Sequence, residues 1–336
     1  MKSPLVSVIL PVYNAAEHVQ EAIQSILNQT FTDFELLIFN DGSTDESCAI
    51  IQNIKDERIR FFNYTQNSGY VAHLNEGLRL AQGEYIARMD ADDIAMPDRF
   101  AQQVALLERE PDVVLCGTAV ETFGSEQTVA EVPLTDREIR NELPFHSPMW
   151  HPTVMFRKPV IDKHKLCYNE EYMPAEDYKL WYDLSKVGEL RNLPNVLLRY
   201  RVHPHQISIC KNDLQRQRAN AVRVFQLLDQ GFKLSDEEQK TYADIVSGVS
   251  LQKPIELKRT MAVMQSVLHQ SEQLGAYNPY LFLKFFRTRW SELSTNLRQY
   301  VPTLLTVLFI PSAINTASLS LRTKFMVKSL VSWKVK

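Results

Sequence analysis

The chain has 336 residues, 45% hydrophobic and 23% charged, with a formal net charge of −3. That is enough apolar material to bury a core, in one large domain or one domain with an appendage, and so weak a charge argues against nucleic acid as a partner. The four cysteines, Cys48, Cys116, Cys167 and Cys210, are too widely spaced for paired metal-ligand motifs and read as free thiols of a reducing compartment.

Residues 5–12 (LVSVILPV) form a β-branched run that reads as a buried strand. Ser7 and Pro11 interrupt it and no small-residue cleavage site follows, so it is not read as a signal peptide. Asn14 is expected to cap the next helix, in which Val19, Ala22, Ile23, Ile26 and Leu27 recur at helical spacing. Phe34 to Phe39 reads as a second strand, closed by a turn at Asn40 to Ser43, with Ser43 or Thr44 capping a further helix. A third strand is predicted over 58–64, a helix over 70–81, a fourth strand over 84–89, a helix from Pro97 to about Glu108 and a fifth strand over 113–116.

Strands alternating with helices predict an α/β fold, a parallel sheet with helices on both faces. Ligands of such sheets bind at the carboxyl ends of the strands, which directs attention to Tyr13-Asn14, Asn40-Asp41, Asn67 and Asp90 to Asp93. No strand-to-helix turn carries the glycine-rich signature of a dinucleotide site or a P-loop, which disfavours both.

The character changes near residue 210. The predicted division is a catalytic domain over 1–209 and a helical region over 210–336. From Leu293 to Lys336 there is no acid but six cations: Arg298, Arg322, Lys324, Lys328, Lys334 and Lys336. The apolar run Val301 to Ile314 is broken by Pro302 and Pro311 and is too short to span a bilayer. With Leu321, Phe325, Met326, Leu330 and Trp333, the tail reads either as a basic amphipathic segment that meets an anionic membrane surface or as a helix packed on the domain with a solvated basic face.

The most informative feature is Asp90-Ala91-Asp92 at a strand end. Two carboxylates one residue apart in a turn can face one small volume and suit a hard cation, Mn²⁺ or Mg²⁺, whose other ligands are diphosphate oxygens and water. The cation would offset charge on a departing nucleoside diphosphate.

Four ordered segments resemble family 2 glycosyltransferases. They are Ser7 to Asn14, Ser25 to Glu35 leading into Asn40 to Asp45, Gly83 to Asp93 with Met96 to Arg99, and Ala175 to Trp181. With the closing Leu198 to Ser208, which matches the end of the family's catalytic domain, the resemblance covers about residues 4–208. It implies a GT-A fold with a mainly parallel central sheet, a nucleotide-diphosphate-sugar donor and inversion at the anomeric carbon.

By that resemblance Asp177 is the catalytic base and Glu176 orients acceptor or loop. A base is required because the incoming hydroxyl must lose a proton as the diphosphate leaves. Asp41 matches the position that accepts the N–H of a uracil-like base, which favours UDP, and Pro11, Tyr13 and Asn14 would lie beside that base. Asn67, Asn75 and Asp90 are assigned to the nucleotide, although the arginine common in the family near His73-Leu74-Asn75 is missing. Asp92 is assigned to the metal, with His203 joining it or His205 competing for that place. His151-Pro152-Thr153 resembles an acceptor-side segment without an assigned role.

The expectation is an inverting transferase that moves a sugar from a UDP-sugar donor to a hydroxyl of a glycan or lipid-linked acceptor, in surface polysaccharide synthesis. It would work in the cytoplasm, with the tail against the inner membrane face. A nucleotidyltransferase would favour a glycine- and basic-rich first turn, which VILPVYNAAEH does not offer. A catalytically silent binding module would be favoured by loss of Asp92 or Asp177, and both are present.

Overall fold

The computed structural model describes residues 3–204, 206, 210, 212–248 and 254–293. Its contacts divide the chain into two compact units, the first ending at Arg218 and the second beginning at Ala219.

The first unit is built on β1 (Val6–Val12), β2 (Phe34–Asp41), β3 (Ile59–Tyr64) and β4 (Tyr85–Arg88), with α1 (Val19–Leu27), α2 (Ser47–Asn53) and α3 (Tyr70–Leu80) as crossovers. The crossovers make β1 pair in parallel with both β2 and β4, and β2 with β3. All eight residues of β2 are buried, as expected of an apolar strand covered on both faces. Val19, Ala22, Ile23 and Ile26 bury the predicted stripe of α1.

Past β4 follow β5 (Ile94–Ala95), α4 (Arg99–Arg109), β6 (Val113–Gly124), β7 (Val129–Ala130), α5 (Asp136–Glu142), β8 (Met155–Arg157), α6 (Lys158–His164), α7 (Glu176–Ser185) and β9 (Glu189–Val202). The sheet order is β3-β2-β1-β4-β8-β6-β9-β5, with β7 on β6. Strand β8 enters antiparallel between β4 and β6, while β6 and β9 run parallel over most of their length. The α/β fold with a mainly parallel sheet is therefore as expected, and the antiparallel insertion is what the alternation of elements did not show. The order turns back at β1: α1 leads from it to β2 on one side, and α3 brings the chain from β3 back to β4 on the other, which is where such sheets open a crevice beyond the carboxyl ends of their strands.

Two expected caps are replaced. Asn14 stands at φ 49, in the left-handed region, and α1 begins only at Val19. Instead of capping, Asn14 Oδ1 accepts the Thr44 N–H at 2.8 Å, and the Asn14 N–H donates to Ser43 Oγ at 3.0 Å. Helix α2 begins at Ser47, whose N–H donates to Asp45 Oδ1 at 3.0 Å. The segments after β1 and β2 are thus tied to one another. Gly42 makes their turn possible: its φ is 70, and a Cβ there would lie 2.8 Å from the Gln66 carbonyl carbon.

Helix α8 (Asn212–Asp229) runs across the boundary between the units. In the second unit α9 (Asp236–Ser247) packs on α10 (Pro254–Leu274), and α10 on α11 (Pro279–Leu293). A capping box of Ser235 and Glu238 starts α9, and Gly248, at φ 71, ends it. Tyr242, Ile245, Val263, Val267, Phe282 and Phe286 form its core. The basic tail and its expected membrane contact, the run Val301 to Ile314, and His205 and Ser208 lie outside the described residues. Among the described residues, no helix is long and apolar enough to cross a membrane.

Candidate active site

Strand β4 ends by delivering three acids into the crevice. Ligand oxygens of Asp90, Asp92 and Asp93 all lie within 4.8 Å of one another. Among the described residues they are the one group of three or more His, Cys, Asp or Glu side chains gathered this way. Asp93 is buried and Asp90 and Asp92 are partly open. Burial pushes the Asp93 carboxyl well above the usual carboxylate range, and Asp90 and Asp92 push it further. Burial also raises Asp90, against the pull of the Arg88 guanidinium with which it forms an ion pair.

Strand β9 holds this loop from the side. The Arg201 N–H donates to Asp93 Oδ1 at 2.8 Å and its Nε to the Asp92 carbonyl at 2.8 Å. Two residues on, His203 Nε2 lies 3.0 Å from Asp92 Oδ2. That is a hydrogen-bond distance, and the acids gathered within 4.8 Å of one another are Asp90, Asp92 and Asp93 without His203. Asp93 Oδ2 is buried without a hydrogen-bond partner. Three gathered carboxylates, two of them raised and one with an orphaned oxygen, fit a divalent cation. The D-x-D reading had no use for the third acid, although it was visible in Asp90-Ala91-Asp92-Asp93.

Behind the acids lies a buried layer. Arg99, fully buried, donates from Nη2 to the Arg88 carbonyl at 2.7 Å and from Nε to Gln103 Oε1 at 3.1 Å. Gln103 passes this support to the turn before β8, donating to the Thr153 carbonyl at 2.8 Å. The backbone leading into Asp90 is thereby anchored from inside.

Helix α7 begins with the second acid pair. Glu176 is 2% exposed, whereas Asp177 keeps part of its surface open. Burial first, then the Asp177 charge, pushes Glu176 up to about 8. Burial also raises Asp177, to about 6, but the Tyr178 N–H and Arg88 hold it below its neighbour. Asp90 acts on Asp177 as well, which places the two acid groups in one electrostatic environment. Tyr70 donates to Glu176 Oε2 at 3.0 Å.

His151, whose role the sequence left open, is half-buried, with Nε2 3.1 Å from the Tyr168 hydroxyl and its ring edge-on to Trp181. Burial, then Arg88, lowers its pKa well below the usual value, so it stays neutral.

The nucleotide-side residues divide. Pro11 is the penultimate residue of β1, and Tyr13, 51% exposed, follows the end of that strand. Asn67 is exposed in the loop after β3, its backbone N 2.9 Å from where a Gly42 Cβ would be. Asn75 is engaged elsewhere. Its amide donates to the Tyr168 carbonyl at 2.8 Å and accepts the Tyr168 N–H at 2.9 Å, so it clamps α3 to the loop before α7. Asp41 is 2% exposed and accepts from Ser68 N–H at 2.7 Å and Gly69 N–H at 3.0 Å, with His73 Nε2 at 2.8 Å. These bonds make it the anchor of the first turn of α3, a use its place in a turn did not show. Arg88 and Tyr70 were inside recognised segments or helices, but nothing in their spacing marked them as lining a site.

The sequence profile described as glycosyl transferase family 2 matches residues 7–164. An uncharacterized glycosyltransferase of Haemophilus influenzae is 33% identical over 280 residues, covering 80% of this chain and 85% of its own. The amylovoran biosynthesis glycosyltransferase AmsE of Erwinia amylovora is 31% identical over 208 residues, covering 58% and 75%. The chain belongs to glycosyl transferase family 2. Among solved structures, residues 1–349 of S. aureus TarS in complex with UDP-GlcNAc superpose with a TM-score of 0.61 at 14% identity, covering 90% of this chain and 91% of that one. The mannosyltransferase PcManGT of Pyrobaculum calidifontis, in complex with GDP-Man and Mn²⁺, superposes with a TM-score of 0.56 at 16% identity, covering 98% and 87%. These likenesses show the GT-A-type fold.

Replacing Arg99 by Met keeps the length of the side chain but leaves the Arg88 carbonyl and Gln103 without their donor. Chemical denaturation should show a loss of about 2 to 3 kcal/mol. A change below about 0.5 kcal/mol would mean that the loop does not depend on this anchor.

Proposed function

We propose that this family 2 glycosyltransferase is a cation-dependent, inverting enzyme that transfers a sugar from a UDP-sugar to a hydroxyl of a glycan or lipid-linked acceptor. The observation that carries the reading is the pairing of two acid groups with different demands. Asp90, Asp92 and Asp93 gather oxygens as a cation requires, while Glu176 and Asp177, both raised by burial, open α7 in the same electrostatic environment.

In this reading Asp92 and His203 hold the cation, Asp93 offers its orphaned oxygen, and Asp90 faces the nucleotide. A bound Mn²⁺ or Mg²⁺ would supply charge compensation for the diphosphate. Asp177 takes the proton of the acceptor hydroxyl as its oxygen bonds to the anomeric carbon. The bond from that carbon to the diphosphate breaks on the opposite face, and its electron pair leaves with the nucleotide. Near neutral pH Asp177 is ionised and Glu176 holds its proton, so the pair carries one negative charge and one free base. Glu176, buried and bonded to Tyr70, orients rather than reacts.

Tyr13 and Pro11 supply a wall for the base. Asp41 fixes the adjoining turn and, with Oδ2 accepting only from Gly69 in the contacts above, retains a lone pair for a pyrimidine N–H. Asn75 is withdrawn from the nucleotide, because both ends of its amide are bonded to Tyr168. For the acceptor class, the support is similarity to AmsE and, at 29% identity over 232 residues, to the chondroitin synthase of Escherichia coli, both named for polymer synthesis.

Asp177→Asn should lower turnover of a UDP-hexose by about 10²- to 10⁴-fold while UDP·Mn²⁺ affinity stays within about twofold. Undiminished turnover would remove Asp177 from the role of base.

The wild-type rate should fall as pH drops through about 6, because protonation of the raised Asp177 removes the base. An acid limb at the ordinary carboxylate pKa of about 4 would contradict the assignment.

Asp92→Ala should weaken Mn²⁺-dependent UDP binding by about 100-fold in calorimetric titration. Equal affinity with and without Mn²⁺ in the wild type would refute the cation site, and preference for GDP would reassign the base.

A further inference from the structure

Tyr70 has no part in the chemistry above, yet it stands between the two halves of the site. It opens α3, and its hydroxyl reaches Glu176 Oε2 at the first residue of α7, 106 positions later in the chain. The position of Tyr70 is set by Asp41. Gly69, directly before it, donates its N–H to Asp41 Oδ2, and Ser68 donates its N–H to Oδ1. Gly69 itself has φ 91, and α3 has no side-chain cap from its N-cap residue, so the Asp41 carboxylate does the work of one from β2. His73, one turn further along, lies with Nε2 against the same carboxylate.

The first turn of α3 is therefore fixed by the end of β2, next to the crevice rim at Tyr13 and Gly42. Its next residue touches the acid beside the base. We infer that Tyr70 is a positioning residue, a strut that couples occupancy of the nucleotide side of the crevice to the placement of the Glu176–Asp177 pair. The inference rests on the proposed roles of Asp41 and Asp177.

The groups facing the pair are few. Glu176 faces the Tyr70 hydroxyl, Asp177 and Arg88, and Tyr168 lies near both acids. Asp177 faces the Tyr178 N–H, Arg88 and Asp90. The Tyr70 hydroxyl favours the Glu176 anion, whereas Asp177 and burial disfavour it. Loss of the hydroxyl should therefore shift Glu176 alone. Asp177 ionises first, while Glu176 is still neutral, and so should hold its place.

The test is Tyr70→Phe in the full chain, with the protonated-carboxyl infrared band followed from about pH 5 to about pH 10. Glu176→Gln identifies the band. The upper carboxyl step should move up by about one pH unit, and the lower step should not move. Adding UDP with Mn²⁺ should shift the upper step in the wild type and not in Tyr70→Phe, although calorimetry should find UDP affinity unchanged in the variant. An upper step that stays in place, or a UDP-induced shift of equal size in both proteins, overturns the strut.

Should Tyr70→Phe not fold, Tyr70→Trp removes the same hydroxyl and must give the same unresponsive upper step. A wild type that binds no UDP·Mn²⁺ overturns the nucleotide half of the inference together with the reading beneath it. That outcome is told apart by the nucleotide-free titration, which reads the action of Tyr70 on Glu176 by itself.

Discussion

Arg88 brings its guanidinium into the interior at the end of β4, 5% exposed, and pairs there with Asp90. Asp93, Glu176 and Asp177 all feel the same charge. An ion pair at contact is worth about 4 kcal/mol at an effective dielectric constant of about 20. One such cation cannot compensate several carboxylates at once, and the surplus acids must find another positive charge or keep their protons. The two acid groups differ in which solution their geometry permits. Asp90, Asp92 and Asp93 converge on a single volume, which is what a cation requires. Glu176 and Asp177 follow one another on a helix and cannot converge in that way, so proton exchange is what remains open to them.

The layer behind the acids explains how such a strained distribution persists. Three like charges within a few ångströms would spread if the backbone allowed it. Arg99 prevents this by donating to the carbonyl just before the loop, and Gln103 ties Arg99 to the turn before β8. Arg201 closes the other side through the Asp92 carbonyl and Asp93. The guanidinium of Arg99 is itself fully buried, and burial lowers its pKa to about 9. Its remaining proton affinity is supported by the acids it helps to confine. Cost at one layer is offset by electrostatic gain at the next.

Much of this was legible in the sequence, for reasons that differ by element. The strands of the first half are short, largely apolar runs, and their carboxyl ends coincide with the polar turns, so both fold and crevice could be read directly. Asp90, Asp92 and the Glu176-Asp177 pair lie in contiguous motifs, and resemblance brings such motifs out. What stayed hidden depends on contacts between distant segments. Asn14 looks like a helix cap by composition, but the Thr44 N–H takes its side chain across 30 positions. Asn75 follows the expected helix, yet its amide is used on Tyr168, 93 positions away. The long strand β9 was missed because Glu189 to Val202 mixes charged and apolar residues without a strict alternation, and it is paired with β6 along almost its full length. No local pattern announces a bond of that range.

The two acids that open α7 differ although they stand side by side. Both stand in the first turn of one helix and both are raised by burial. A helix start stabilises negative charge, which applies to each of them. Asp177 gains more of what favours an anion: it accepts the Tyr178 N–H at 2.6 Å, and part of its surface reaches the crevice. Glu176 is buried more deeply, and the Tyr70 hydroxyl is the side-chain hydrogen bond that favours its charge. Once one of the two ionises, its charge disfavours a second one beside it, so the pair favours a single negative charge. The order in which these neighbours lose their protons follows from orientation on the helix. Successive helix positions point about 100° apart, so Glu176 turns inward to Tyr70 while Asp177 keeps part of its surface open.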